Sequence, residues 1–218
     1  RGLGDVYKRQ QGYSRWGDVL AQSHVSSGPA MADVLDKLMS LEIVQKRAPI
    51  NDPTNKRKSG YFVVDPLSLF YYRYVFRNAS ARQLLDPEVF YDRHVSQDFE
   101  ENYVPHMFEE ICRQYLVRQN RTGKIEPAFD AIGKYWYDDP ANKTSGEFDV
   151  VTQDPEGYAF YEAKFRKSPV TQKMVDEEIT QVEATGLKCH RYGFFSRSGF
   201  EAGESDRTVF IDLPQMFG

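Results

Sequence analysis

Gly146-Glu147-Phe148-Asp149-Val150-Val151, then Gln153-Asp154-Pro155-Glu156-Gly157, then Tyr158-Ala159-Phe160-Tyr161-Glu162-Ala163-Lys164, is the stretch that decides the fold. Its two outer segments are rich in β-branched and aromatic residues, and Asp-Pro-Glu-Gly between them is turn chemistry, so the whole reads as two strands joined by a turn. Residues two apart on a strand face the same side. Glu162 and Lys164 therefore project together while Ala163 points into the opposite layer. If the strand holding Asp149 is the hairpin partner, Asp149 reaches the same side, which gathers two carboxylates and an ammonium at one end of a sheet.

Working outward, Phe99 to Gln119 reads as a long helix with Val104, Phe108, Ile111, Cys112, Tyr115 and Leu116 on one face. A strand at Phe129–Tyr137 and a turn at Asp138–Ser145 come before the decisive stretch. A helix at about Val170–Thr185 and strands at Arg191–Ser196 and Thr208–Leu213 follow it. The order is α-β-β-β-α-β-β, an α/β class. The front of the chain differs. Ser14 to Val25 has the spacing of a short amphipathic helix, and Ser26 or Ser27 can cap a second helix running to about Ser40. Ile43-Val44 and Tyr61–Val64 then read as strands flanking the basic turn Lys56-Arg57-Lys58. Two helices and a basic hairpin are the order of a winged helix. Leu67 to Phe76, aromatic on most sides, reads as a buried connecting helix. We accordingly expect four parts: residues 1–10 as a scar or fragment boundary, 11–77 as a winged helix, 78–98 as a linker, and 99–218 as an α/β domain.

Composition narrows the classes. Of the 218 residues 40% are hydrophobic and 28% charged, enough apolar material for a core and too much for a disordered chain. No window approaches the roughly 18 apolar residues of a membrane span, and no secretory leader opens the chain. Two cysteines and four scattered histidines support neither a disulfide framework nor a structural zinc site, so a reducing cytoplasm is the expected setting. Residues 11–85 carry ten basic against six acidic side chains and residues 86–218 fifteen against twenty-five, a split that fits two units with different partners.

Taken alone, Glu-x-Lys describes an ordinary ion pair on a strand. Its setting gives it another meaning. Hard divalent cations such as Mg²⁺ are held by carboxylate oxygens and keep several waters, and a nearby lysine can orient a water and offset charge developing on a phosphate. Glu109 or Glu110, on the preceding helix, would add a third carboxylate.

The arrangement resembles the PD-(D/E)xK nuclease superfamily, whose core is α-β-β-β-α-β and whose motif is an acid on the first helix, an Asp, then Glu-x-Lys. Residues 11–218 also resemble the C-terminal half of the archaeal-type DEXX-box ATPases. That likeness rests on Tyr61-Phe62-Val63-Val64-Asp65-Pro66-Leu67-Ser68-Leu69-Phe70-Tyr71-Tyr72-Arg73-Tyr74, Phe108-Glu109-Glu110-Ile111-Cys112, Ile132-Gly133-Lys134-Tyr135-Trp136, Glu147-Phe148-Asp149-Val150-Val151 and Glu162-Ala163-Lys164. The resemblance implies a winged helix followed by a nuclease-like domain. It implies Asp149 and Glu162 as ligands of Mg²⁺ or Mn²⁺, Lys164 as the catalytic lysine and Glu109 as the helix acid. Two positions depart from the family pattern, Tyr135 and Ala163, and neither is an implied ligand.

DNA is the expected partner, with Lys56, Arg57, Lys58, Arg166 and Lys167 as candidate phosphate contacts. The chain holds no G-x-x-x-x-G-K-[ST], and the resemblance implies that ATP binds in an N-terminal ATPase portion preceding these residues. The rival reading is a catalytically silent DNA- or protein-interaction module that regulates that portion. Gln172 or Gln181, His106 and the Cys189-His190 pair are weaker candidates, each better explained as an exposed or structural side chain.

Overall fold

Ser27, whose side chain accepts from the Ala30 amide, opens helix α1 (Gly28–Ser40) in the computed structural model, which describes residues 27–56, 58–139, 144–203 and 205–217. The cap and Pro29 in the first turn are the sequence signals of that start. Met31 and Leu35 on α1 are buried against Val44. Val44 begins β1 (Val44–Arg47), which pairs antiparallel with β2 (Gly60–Val63) from Val44↔Val63 to Arg47↔Gly60. The helix read over Ser14–Val25 lies outside the described residues.

Asp65-Pro66 and Asp86-Pro87 are starts as well as stops. Asp65 accepts from the Ser68 amide at 2.6 Å to open α2 (Pro66–Phe70), and Asp86 accepts from the Glu88 amide at 2.9 Å to open α4 (Pro87–His94). In both, proline fills a first-turn position where its missing N–H costs nothing. With α3 (Ala79–Leu84) and α5 (Ser96–Asp98), most of residues 78–98 is helical. The expectation of a buried helix over Leu67–Phe76 is corrected. Here α2 runs into a π-helical turn, Tyr71–Phe76; Tyr74 is buried, while Leu67 of α2 is 75% and Phe76 60% exposed. A short helix covered on one side buries one face, whatever the chemistry of the other. On the buried face the Arg73 guanidinium donates to both Asp98 oxygens, at 2.6 and 2.7 Å, and the Tyr74 hydroxyl donates to Asp98 at 2.6 Å.

The chain divides into two compact units between Glu100 and Glu101. In the second, helix α6 (Val104–Arg121) buries Phe108, Cys112 and Leu116, spaced four apart. The sheet beside it is five-stranded and mixed, in the order β3 (Ala131–Asp139), β4 (Thr144–Asp154), β5 (Gly157–Lys164), β6 (Cys189–Ser196) and β7 (Thr208–Asp212). The first three strands are antiparallel neighbours, and the β5–β6 and β6–β7 pairs are parallel. A parallel pair needs a crossover, and α7 (Gln172–Glu183) supplies it between β5 and β6. The chain closes with α8 (Leu213–Phe217). This is a mixed α/β architecture.

Each face of the sheet has its own cover. Val150, Ala159, Tyr161 and Phe195 pack with Phe108, Cys112 and Leu116 of α6. On the opposite face Tyr135, Phe148 and Phe160 form an aromatic group, with Phe148 and Phe160 centroids 4.9 Å apart. Tyr137 packs tilted against Phe148 and receives a hydrogen bond from Gln181 of α7, so α7 lies on that side. Val175 and Val182 are the buried residues of α7.

Candidate functional site

Asp149 owes its position to an irregularity in β4. Between β3 and β4 the register runs Gly133↔Val151 and then Tyr135↔Phe148, so two steps on β3 span three on β4. Asp149 and Val150 together oppose Lys134, which is a β-bulge. Bulges bend a strand and re-aim the side chain at the extra position. The re-aiming is visible in the neighbours. Phe148 packs on Phe160, whereas Val150 pairs with Tyr161 and joins the core on the α6 side. In a regular strand 148 and 150 would share a face.

Two charged groups flank this kink. On the α7 side Lys164 forms an ion pair with Glu162, and Ala163 between them packs into the α6-side core. Continued by one residue, the β4–β5 register sets Asp149 opposite Glu162. Glu178 of α7 belongs to the same group: burial, then the Glu162 charge, push its carboxyl up to about 7, against the pull of Lys164. On the α6 side the Lys134 ammonium donates to Glu109 at 3.0 Å and to Glu147 at 2.5 Å. His106 Nδ1 lies 3.7 Å from the same Glu109 oxygen.

Asp149 feels both groups. Burial pushes its carboxyl well above the usual carboxylate range, the charges of Glu162 and Glu109 push the same way, and Lys134 and Lys164 oppose them. Burial works to lower the Lys164 pKa, but the charge and hydrogen bond of Glu162, with Glu178 and Asp149, raise it overall. Burial likewise opposes ionisation of Glu109, yet the His106 hydrogen bond and the Lys134 charge hold it below its ordinary value. Cys112 is raised by burial and by the charges of Asp149 and Glu109, which leaves it a structural thiol.

The structure thus brings Asp149, Glu162, Lys164 and Glu109 into one electrostatic neighbourhood, split between the two faces of the sheet. Among the described residues no three acidic, histidine or cysteine side chains converge as a metal-holding group. The other candidates stand apart. Lys56 and Lys58 are exposed in the β1–β2 connection, with Lys58 Nζ 3.3 Å from Asp52; Arg57 lies outside the described residues. Arg166 and Lys167 are exposed just past β5, and Arg166 Nη1 is 3.2 Å from Met174 Sδ. Gln172 bonds Asp176 and the Gly203 amide, and Gln181 bonds Tyr137. His190 is held by Asp154 at 2.8 Å.

Lys134, Glu147 and Glu178 are not singled out by the sequence reading. For Glu178 a signal exists. It lies three residues after Val175 and four before Val182, so it occupies the inward stripe of α7, where a carboxylate needs a reason. A carboxyl raised from 4.5 to about 7 costs nothing below pH 4.5, and its cost grows as pH rises to about 7. Glu178→Gln is therefore expected to leave the urea midpoint unchanged at pH 4 and to raise stability above pH 7 by up to about 3 kcal/mol. A midpoint that stays level with wild type at pH 8 would rule this out.

A mixed five-stranded sheet with acids and lysines gathered around one bulged strand defines an α/β protein with a carboxylate–lysine site. The chain belongs to the DUF234 family, described as archaeal and bacterial proteins of unknown function, which it matches over residues 71–181. That span contains Glu109, Lys134, Glu147, Asp149, Glu162, Lys164 and Glu178. An uncharacterised protein of Methanocaldococcus jannaschii is 27% identical over 103 residues, 47% of this chain and 23% of that protein. The chain thus matches less than a quarter of that relative's length. Among the described residues no helix is long and apolar enough to cross a membrane.

Proposed function

We propose that the second unit is a PD-(D/E)xK-type nuclease that hydrolyses DNA phosphodiesters with Mg²⁺ or Mn²⁺, and that α1 and the β1–β2 hairpin belong to a winged helix that contacts duplex DNA. The observation that carries the reading is Asp149, a desolvated carboxylate at a β-bulge, opposite Glu162 with Lys164 paired beside it. No described side chain hydrogen-bonds the Asp149 carboxylate, which leaves its oxygens available as hard donors. Mg²⁺ is held by one or two carboxylates, substrate phosphate and water, not by a closed cage of protein ligands, so a pair such as Asp149 and Glu162 suits it.

In this reading Asp149 and Glu162 would hold the cation, which would supply Lewis-acid stabilisation of the phosphate oxygens. Lys164, kept protonated by Glu162, Glu178 and Asp149, donates a hydrogen bond that orients the attacking water and offsets charge on the phosphate. Glu109 acts from behind, through Lys134. Arg166 and Lys167 would steady the substrate backbone. ATP would bind in a preceding portion of the longer protein. The test is cleavage of plasmid DNA by the purified chain with Mg²⁺, with Mn²⁺ and with EDTA. Cleavage that continues in EDTA, or none with either metal, defeats the proposal.

A second reading, a catalytically silent binding module, draws support from the way Lys164 and Lys134 already engage Glu162, Glu109 and Glu147. The nuclease reading expects duplex DNA at the hairpin, whereas the silent module binds either DNA or protein. Lys56→Ala/Lys58→Ala in the full chain is expected to weaken duplex binding several-fold and to lower the slope of log affinity against log salt by about 2. An unchanged slope removes the hairpin from the interface.

A further inference from the structure

We infer that the Lys134 ammonium holds the place a second divalent cation would take, so that the site works with one metal ion; this rests on the metal-dependent reading above. Metal-dependent phosphodiesterases divide into sites with one ion and sites with two ions about 3.5–4 Å apart. Around Lys134 the structure has a cation site with a protein cation already in it. Its Nζ is 3.0 Å from Glu109 Oε2 and 2.5 Å from Glu147 Oε1, so carboxylates from α6 and β4 converge on one point. The bulge sets Asp149 across from the same residue.

The sheet itself does not ask for a lysine there. Lys134 stands beside the aromatic Tyr135 and Trp136, and a partly buried ammonium is costly unless carboxylates accompany it. With it in place, Glu109 and Glu147 share one positive charge. Without it, Glu109 and Glu147 would be left as two oxygen donors with no cation between them, and a divalent ion is held by one or two carboxylates and water. An ammonium supplies charge and hydrogen-bond donors but no coordination site, so it can balance these acids without binding a phosphate oxygen as a metal would. Lys164 is not equivalent. It pairs with Glu162 on the α7 side, and its role is toward the substrate.

The experiment is to count Mn²⁺ bound per chain by equilibrium dialysis for wild type, Lys134→Met and Lys134→Arg. We expect one ion, two ions and one ion. A wild type that takes two, a folded Lys134→Met that still takes one, or a Lys134→Arg that takes two overturns the inference and leaves the nuclease reading standing. A wild type that takes none overturns the metal reading and this inference with it. Because Lys134→Met strips two carboxylates of their counter-charge, circular dichroism is recorded with chelator and with Mn²⁺. If the variant is unfolded in chelator, recovery of the wild-type spectrum on adding Mn²⁺ supports the inference, and no recovery at saturating Mn²⁺ overturns it.

Discussion

Asp149→Ala and Lys164→Ala are each expected to lower metal-dependent cleavage of DNA by about 10³-fold or more, the size of losing several kcal/mol of charge stabilisation in the transition state. The two variants should differ in stability. Asp149 is a carboxylate whose ionisation burial and the neighbouring Glu162 and Glu109 charges oppose, so its removal relieves a cost of folding, and Asp149→Ala should melt no lower than wild type at neutral pH. Lys164→Ala removes the counter-charge of Glu162 and should melt lower. Activity lost without stability lost is the signature of a site that the fold carries at its own expense. Cleavage that persists in both variants, measured beside their melting curves, would sink the nuclease reading. A loss confined to Lys164→Ala and matched by unfolding would leave it without support.

The largest effect on stability is expected at Phe195. Its ring is fully buried in the central parallel strand β6, within the cluster formed by Phe108, Cys112 and Leu116 of α6, and its centroid is 5.9 Å from Tyr115 and 6.1 Å from Tyr161. The parallel ladders on either side, to Ala163 of β5 and Ile211 of β7, hold the backbone so that it cannot collapse into the space. Phe195→Ala should therefore cost about 3–5 kcal/mol in urea unfolding. A loss under about 1 kcal/mol would mean that the core around α6 repacks freely.

Much of the second unit could be read from its residues because each signal was local. Alternation between Tyr158 and Lys164 fixed which side chains share a face. Phe108, Cys112 and Leu116 gave α6 its buried stripe, and the Asp-Pro-Glu-Gly segment gave the β4–β5 turn. What could not be read depends on neighbours distant in the chain. The bulge at Asp149 is a mismatch with β3, visible only when the two strands are laid together. The partners of Lys134 come from α6 and from β4, and nothing in Ile132-Gly133-Lys134-Tyr135-Trp136 names them. At Leu67–Phe76 the aromatic composition was clear, but how many neighbours would cover it was not, and the structure covers one side. Asp65-Pro66 and Asp86-Pro87 carry two messages, the end of one element and the cap of the next, and the second shows only in the amides of Ser68 and Glu88 that donate to the two Asp side chains.

The extra residue in β4 also changes how that strand must be compared with others. β4 pairs with β3 on both sides of the join, at Tyr135↔Phe148 and Gly133↔Val151, and from Val150 onward with β5 as well, so its inside-outside rhythm slips by one beat at Asp149. The strand is written in two phases, with the acid at the join. An alignment or redesign that carries a single phase through residues 146–154 would assign half of these side chains to the wrong layer. Deleting one residue at the join would restore a smooth rhythm and take away the place where Asp149 stands.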